Sequence, residues 1–364
     1  MPTDIHLPHC FSQSRLKSAS ACLIVLALFS SAAMAESNSA PTQHTTTYGT
    51  PTSVIEECTR IGNKLGSVTR QQCLDRKLED TGARSINGQA IMMKDYPPLP
   101  GREPISRVLL IGGTHGDEYA SVSVVFKWMR TLDIYHSGMF HWHVAPLVNP
   151  DGLLQKRSQR LNARGVDLNR NMPTPDWHKK TRNYWKKRHK DPRRYPGEAP
   201  LSEPESRWLY EEIRSFKPHV IISVHAPFGV LDFDGPPLGP RKLGYLHLQL
   251  IGTYPGSLGN SAGVQHQIPV ITVELPHAGI MPTKRHISRM WSDMVTWLRK
   301  NTPKQETIEA YASFDETTKQ LMTVRGISGS TANRILPTSS VLKPKRLLSS
   351  DPQPDLKMNG KVLN

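Results

Sequence analysis

Four short strand-like runs limit what this chain can become. Val108-Leu-Leu-Ile111 closes on Gly112-Gly113, and the run over residues 141–148 ends at Asn149-Pro150-Asp151-Gly152. Val220-Ile-Ile-Ser-Val224 ends at His225, and residues 269–274 end in the carboxylate of Glu274. Apolar runs of this length, bounded by turn residues, read as buried strands. Between them lie longer segments with helical spacing, over residues 120–132, 205–216 and 287–298. In the first of these, Val124, Val125, Trp128 and Met129 recur at helical intervals. Strands alternating with helices predict an α/β fold with a mixed, mainly parallel central sheet flanked by helices. Open α/β sheets bind ligands beyond the carboxyl ends of their strands. The residues that follow each run are therefore the first place to look for chemistry.

The two ends of the chain read differently. Arg15 and Lys17 precede an apolar run over residues 21–29, and Ala33 and Ala35 then make an A-x-A cleavage pattern. That is the form of a secretory signal peptide, with cleavage expected after Ala35. The run is too short for a comfortable membrane span, and no other long apolar run follows it. The expected location is periplasmic or secreted. Cys10 and Cys22 would leave with the signal, so Cys58 and Cys73 remain. An oxidising compartment allows these two to pair, the alternative being two buried free thiols.

The domain reading is a signal peptide over 1–35, then a linker and small disulfide-tied region over 36–85. A catalytic domain over 86–303 and a basic, largely disordered tail over 304–364 complete it. No internal repeat is present. Net charge is +15, concentrated in a tract over residues 177–195 and in the tail. The tract interleaves Tyr184 and Trp185 with lysines and arginines, a pattern that can bind nucleic acid. In an exported chain no nucleic-acid partner is expected. The tract reads as a solvated loop near the site, with contact to anionic envelope polymers as the partner reading.

The strand ends carry the chemistry. His115 and Glu118 follow Gly112-Gly113, three residues apart, where one tight turn can aim both side chains at one point. An imidazole and a carboxylate are good zinc ligands, and His225 at another strand end completes a His₂Glu set. That set, with its fourth position open, is the mark of a catalytic rather than a structural zinc. Glu274 at a fourth strand end is costly to bury unless it is used, and reads as the general base. Its alternative is an ordinary exposed strand-end carboxylate. The run from Arg160 to Asn171 supplies guanidinium and amide donors that can grip a substrate carboxylate or steady an oxyanion.

Taken together these pieces resemble the zinc carboxypeptidase family of the carboxypeptidase A type. The resemblance rests on His115-Gly-Asp-Glu118, Asn149-Pro-Asp-Gly152, Gly165-Val-Asp-Leu-Asn-Arg-Asn171, Ser202-Glu-Pro-Glu205, His225 and Glu274. It implies one zinc ion held by His115, Glu118 and His225, with Glu274 as general base. It also implies Arg160 as the group that polarises the scissile carbonyl, and Asn169 with Arg170 as the clamp on the substrate carboxylate. For the family's substrate-contacting tyrosine, Tyr254 is the nearest candidate and Tyr245 the second. His225-Ala-Pro-Phe-Gly-Val-Leu-Asp-Phe-Asp-Gly235 and Tyr254-Pro-Gly-Ser-Leu-Gly259 are most similar to the bacterial murein peptide amidase A branch. That branch cuts the γ-D-glutamyl-meso-diaminopimelate bond of murein peptides, so the implied partner is a peptide or murein-peptide substrate. Asp232 and Asp234 can read the second amine of diaminopimelate or serve a turn. Open alternatives are a general secreted metallocarboxypeptidase, an N-acyl amino acid deacylase on the same fold, and an inactive peptidoglycan-binding relative.

Overall fold

Strand β3 (Ser106–Ile111) is the hinge of the architecture, because the chain leaves it first to one side and then to the other. The computed structural model describes residues 52–301. The signal-peptide and tail expectations fall outside these residues. The chain enters through helices α1 (Thr52–Lys64) and α2 (Arg70–Leu74) and a hairpin of β1 (Glu79–Arg84) and β2 (Ala90–Tyr96). After β3 come α3 (Tyr119–Tyr135), β4 (Phe140–Ala145), α4 (Pro150–Leu154) and α5 (Trp177–Lys187). Helix α6 (Pro204–Phe216), β5 (Val220–His225) and β6 (Leu231–Asp234) follow. A two-stranded ribbon of β7 (Lys242–Leu243) and β8 (Leu246–His247), then β9 (Val270–Glu274) and α7 (Lys284–Asn301), complete the fold.

The main sheet has seven strands in the order β1-β2-β4-β3-β5-β9-β6. Its centre, β4-β3-β5-β9, is parallel, and both flanks are antiparallel. Central parallel strands are covered by helices on both faces, and all six residues of β5 are buried. On one face Val108, Leu110, Trp142 and Val144 pack beneath residues of α1, α3 and α7. On the other, Leu109, Ile111, Ala145 and Ile221 meet Leu209, Ile213 and Phe216 of α6. Because β4 lies on one side of β3 and β5 on the other, their carboxyl ends part and leave a crevice. A crevice at that switch in strand order is where this class of sheet receives its ligand.

Two elements differ from the sequence reading. The basic tract, read as a loop, is largely the helix α5; it buries only Trp177 and Thr181 and leaves its charges to solvent. Residues 52–85, the described part of the segment read as a region of its own, share the main core. Val54, Cys58 and Ile61 belong to the same buried cluster as β3 and α3.

Cys58 and Cys73 form a disulfide that joins α1 to α2, with Cα atoms 5.4 Å apart. Closing a loop of this length restricts the unfolded chain by about 3 kcal/mol in the chain-entropy model. Cys58→Ala/Cys73→Ala is therefore expected to lose about 3 kcal/mol in urea unfolding. Reduction of the wild type should reproduce the loss. Equal midpoints and slopes for variant and wild type would show that the bond adds nothing.

Candidate active site

The turn after β3 is shaped by two glycines. Gly113 has φ of +61°, a conformation that favours glycine. Gly116 touches the turn around Gly152 so closely that a Cβ on it would sit 2.1 Å from the Gly152 carbonyl carbon. Asn149 spans the same junction, donating from Nδ2 to the carbonyls of Thr114 and Arg160 and accepting from Gly152 N–H. The Asn149-Pro-Asp-Gly152 turn thus presses the His115–Glu118 loop into place. Gly116→Ala must move one backbone away from the other. Overpacking of this kind costs typically 1–3 kcal/mol, so we expect a lower Tm together with weaker metal retention. A calorimetric scan and a metal count on the purified variant would check both.

That loop and the end of β5 bring three donors to one point. His115 Nδ1 lies 2.8 Å from Glu118 Oε1, and His225 Nδ1 lies 3.1 Å from Glu118 Oε2 and 3.3 Å from His115 Nδ1. All three side chains are buried. Two imidazole nitrogens and a carboxylate turned toward one point form a donor set that a cation can share. Ligand bonds of about 2.0–2.2 Å around one zinc place donor atoms at roughly these mutual separations. The outer nitrogens are also held: His115 Nε2 lies 3.1 Å from Asp167 Oδ1, and His225 Nε2 lies 2.9 Å from Ser223 Oγ. Partners on the outer nitrogen are the usual way in which a metal-binding histidine is oriented. The residues present therefore fit a zinc ion. Burial alone would raise the Glu118 carboxyl, but the two histidines hold it well below the usual carboxylate range.

Around this point the remaining candidates line a cleft of about 650 Å³. Glu274 ends β9, with its Cα paired in register to that of His225. Burial pushes its carboxyl up to about 7; the charge of Glu118 adds to the rise, and His225 opposes it. Its Oε2 is buried without a hydrogen-bond partner. Arg160 donates from Nε and Nη2 to Asp167 Oδ2 at 3.2 and 3.0 Å, and its Nη1 stands 3.6 Å from Glu118 Oε1. Arg170 is 3% exposed, and its Nε is buried without an acceptor. Its guanidinium sits over the rings of Tyr254 at 4.6 Å and Tyr184 at 5.6 Å. Asn169 accepts the Leu258 amide at 2.8 Å. Tyr254 faces the cleft, whereas Tyr245 packs against His286 and is not among the lining residues. Asp232 and Asp234 line the far end; burial raises both carboxyls, Asp234 to about 7 with the charge of Asp232 contributing.

Three functional contributions were not read from the sequence. Asp167 joins His115, Arg160 and the Asn169 amide in one carboxylate. In sequence it is one residue of the motif over residues 165–171, and its acceptance of the Asn169 amide is an ordinary helix cap. Ser223 lay inside an apolar run. Tyr184 lay in the basic tract, and α5 carries it to Arg170. Ser202-Glu-Pro-Glu205, by contrast, stands behind the site. Glu203 and Glu205 accept from Asn162 Nδ2 at 2.7 and 3.2 Å and so brace the loop that bears Arg160 and Arg170.

An open α/β sheet with a three-ligand metal site at its switch point defines a class of metal-dependent catalyst, and the comparisons narrow it. The model of the zinc carboxypeptidase family matches residues 80–231. Murein peptide amidase A of Vibrio campbellii is 32% identical over 182 residues, covering 48% of this chain and 71% of that protein. Murein peptide amidase A of Escherichia coli K12 is 36% identical over 127 residues, covering 34% of this chain and 50% of that protein. The chain thus spans half the length of the Escherichia coli relative. The crystal structure of the murein-tripeptide amidase of Escherichia coli O157 aligns at 25% identity with a TM-score of 0.43, over 63% of this chain and 93% of that one. The chain belongs to the zinc carboxypeptidase family.

Proposed function

We propose that this chain is a zinc-dependent hydrolase that cuts an amide bond next to a free carboxylate, and that its substrate is a murein peptide cut between γ-D-glutamate and meso-diaminopimelate. The observation that carries this reading is one cleft holding three elements. These are the His115, Glu118 and His225 donor set, the Glu274 carboxylate, and the Arg170 guanidinium with an unpartnered nitrogen.

His115, Glu118 and His225 would hold the ion. Zinc bound there supplies Lewis-acid activation of the scissile carbonyl and of the attacking water. Glu274 takes the water's proton at its free Oε2 and returns it to the leaving amine. Burial of this carboxyl favours its taking up a proton that it must later return. Arg160, fixed by Asp167, presents its Nη1 edge to the developing oxyanion. Asn169 and Arg170 grip the free carboxylate and so set which bond is cut. Tyr254 closes over Arg170 and bounds the leaving residue's pocket. Beyond it Asp232 and Asp234 face the cleft, where the distal amine of diaminopimelate can meet them. Arg193 and Arg194 at the rim favour an anionic peptide. The leader-like N-terminus and the disulfide support an exported protein.

The test is a progress curve for the tripeptide L-Ala-γ-D-Glu-meso-diaminopimelate beside an all-L α-linked tripeptide of equal length. Release of free diaminopimelate is expected to be the faster reaction, to stop after verified removal of the metal, and to return with zinc. Faster cleavage of the all-L peptide would leave the peptidase chemistry and remove the murein assignment. Undiminished activity without metal would remove both.

A further inference from the structure

A second set of metal-type donors stands outside the cleft, on the face of the sheet covered by α6. His141 and His143 are two apart on β4, so their side chains project from the same face. Asp95 on β2 is the antiparallel register partner of His143. Nε2 of His141 lies 2.8 Å from Asp95 Oδ1, and Nε2 of His143 lies 3.7 Å from the same oxygen. One donor atom from each of the three residues falls within 4.8 Å of the others. Among the described residues only this group and the catalytic one meet that condition.

Proximity alone would also suit an ordinary ion pair, but the surroundings are built. Glu212 of α6 lies 2.5 Å from the Nδ1 of His143 and is largely buried. A carboxylate there can accept the Nδ1 proton and so present Nε2 of His143 toward Asp95 as a ligand. Nε2 and the Asp95 carboxylate oxygen stand 3.7 Å apart, a separation that two ligands of one ion can share. Phe216 locks the rings: it stacks on His143 at 3.6 Å between centroids and meets His141 edge-on at 5.0 Å. A carboxylate behind a ligating histidine is the usual orienting device of metal sites. Both histidines are partly open to solvent, which gives an ion its way in.

We propose that Asp95, His141 and His143, with Glu212 behind His143, form a second site for a borderline divalent metal ion, separate from the catalytic one. Two imidazoles and one carboxylate favour Zn²⁺, Cu²⁺ or Ni²⁺ over Mg²⁺ or Ca²⁺. An ion there would tie β2, β4 and α6 together, so it should raise the unfolding temperature in proportion to its occupancy.

The test titrates Zn²⁺ calorimetrically into full-length protein that already carries one equivalent. A second, weaker binding event and a rise in Tm are expected. His141→Ala/His143→Ala should abolish both and leave hydrolysis by the first equivalent unchanged. Glu212→Ala should weaken the second event about tenfold or more, a change that an accidental pair of surface histidines would not show. His115→Ala should remove the catalytic equivalent and keep this one, so the two sites are tested independently. Absence of a second event, its survival in the double variant, or indifference to Glu212→Ala would each overturn the proposal.

Discussion

Glu274→Gln is expected to keep the fold and the metal and to lose turnover by roughly 10² to 10⁴, the usual contribution of a general base. The side chain is buried at the end of β9, so a substitution that changed its volume would confound fold with chemistry. Glutamine keeps the shape and the outer hydrogen-bonding capacity. What it lacks is a basic oxygen at the Oε2 position, which has no partner within the protein and lines the cleft. Glu274 is not within the donor set that could hold the metal, so metal content should stay at the wild-type level. The deficit should appear in kcat with little change in KM, because a general base acts on a proton in flight rather than on the bound substrate. A variant with near wild-type kcat would transfer the base role to another group. A variant that lost its metal would instead make Glu274 part of the metal site.

How much of this could be read from the chain depends on which physical signal each part leaves. The strands β3, β5 and β9 run through the core and announce themselves as apolar runs, whereas β4 alternates, because His141 and His143 stand half-buried on one of its faces. The hairpin of β1 and β2 leaves no such trace. In β1, Glu79-Asp-Thr-Gly-Ala-Arg84 has no buried residue, and as an edge strand it can carry charge without cost. Helix α5 was hidden for a related reason. Its sequence Trp-His-Lys-Lys-Thr-Arg-Asn-Tyr-Trp-Lys-Lys anchors through so few residues that the charges dominate the pattern.

The site shows the same division. His115, Glu118, His225 and Glu274 were legible because polar residues at the ends of apolar strands need a reason to be there. Their convergence came from the order of strands, which no local pattern encodes. Asp167 and Ser223 were illegible because each acts through another side chain. The turn at Asn149–Gly152 and the acids at Glu203 and Glu205 were visible as a resemblance. Only the packing of Gly116 on Gly152 and the bonds to Asn162 give them a physical role.

The second large effect should be on specificity. A substrate whose free carboxylate is amidated is expected to lose about 10²-fold or more in kcat/KM. Arg170 is the reason: its guanidinium is 3% exposed, lies over Tyr254 and Tyr184, and has a buried Nε without an acceptor. Its Nη1 donates to the Asn169 carbonyl at 2.5 Å, which fixes the remaining edge of the fork. A carboxylate can take two charge-assisted bonds from such a fork, each worth about 1.5–3 kcal/mol. Losing both forfeits at least about 3 kcal/mol, and each 1.36 kcal/mol is about tenfold in rate. Arg170→Ala should therefore slow the free acid by a similar factor and leave the amide almost unchanged, so that the gap between them closes. Arg170→Lys should fall between the two, because it restores the charge without the planar fork. The measurement is kcat/KM for acid and amide with wild type and both variants. Equal losses on both substrates would mean that Arg170 supports the fold of the cleft rather than the carboxylate. An amide cut as fast as the acid by the wild type would remove the carboxylate requirement itself.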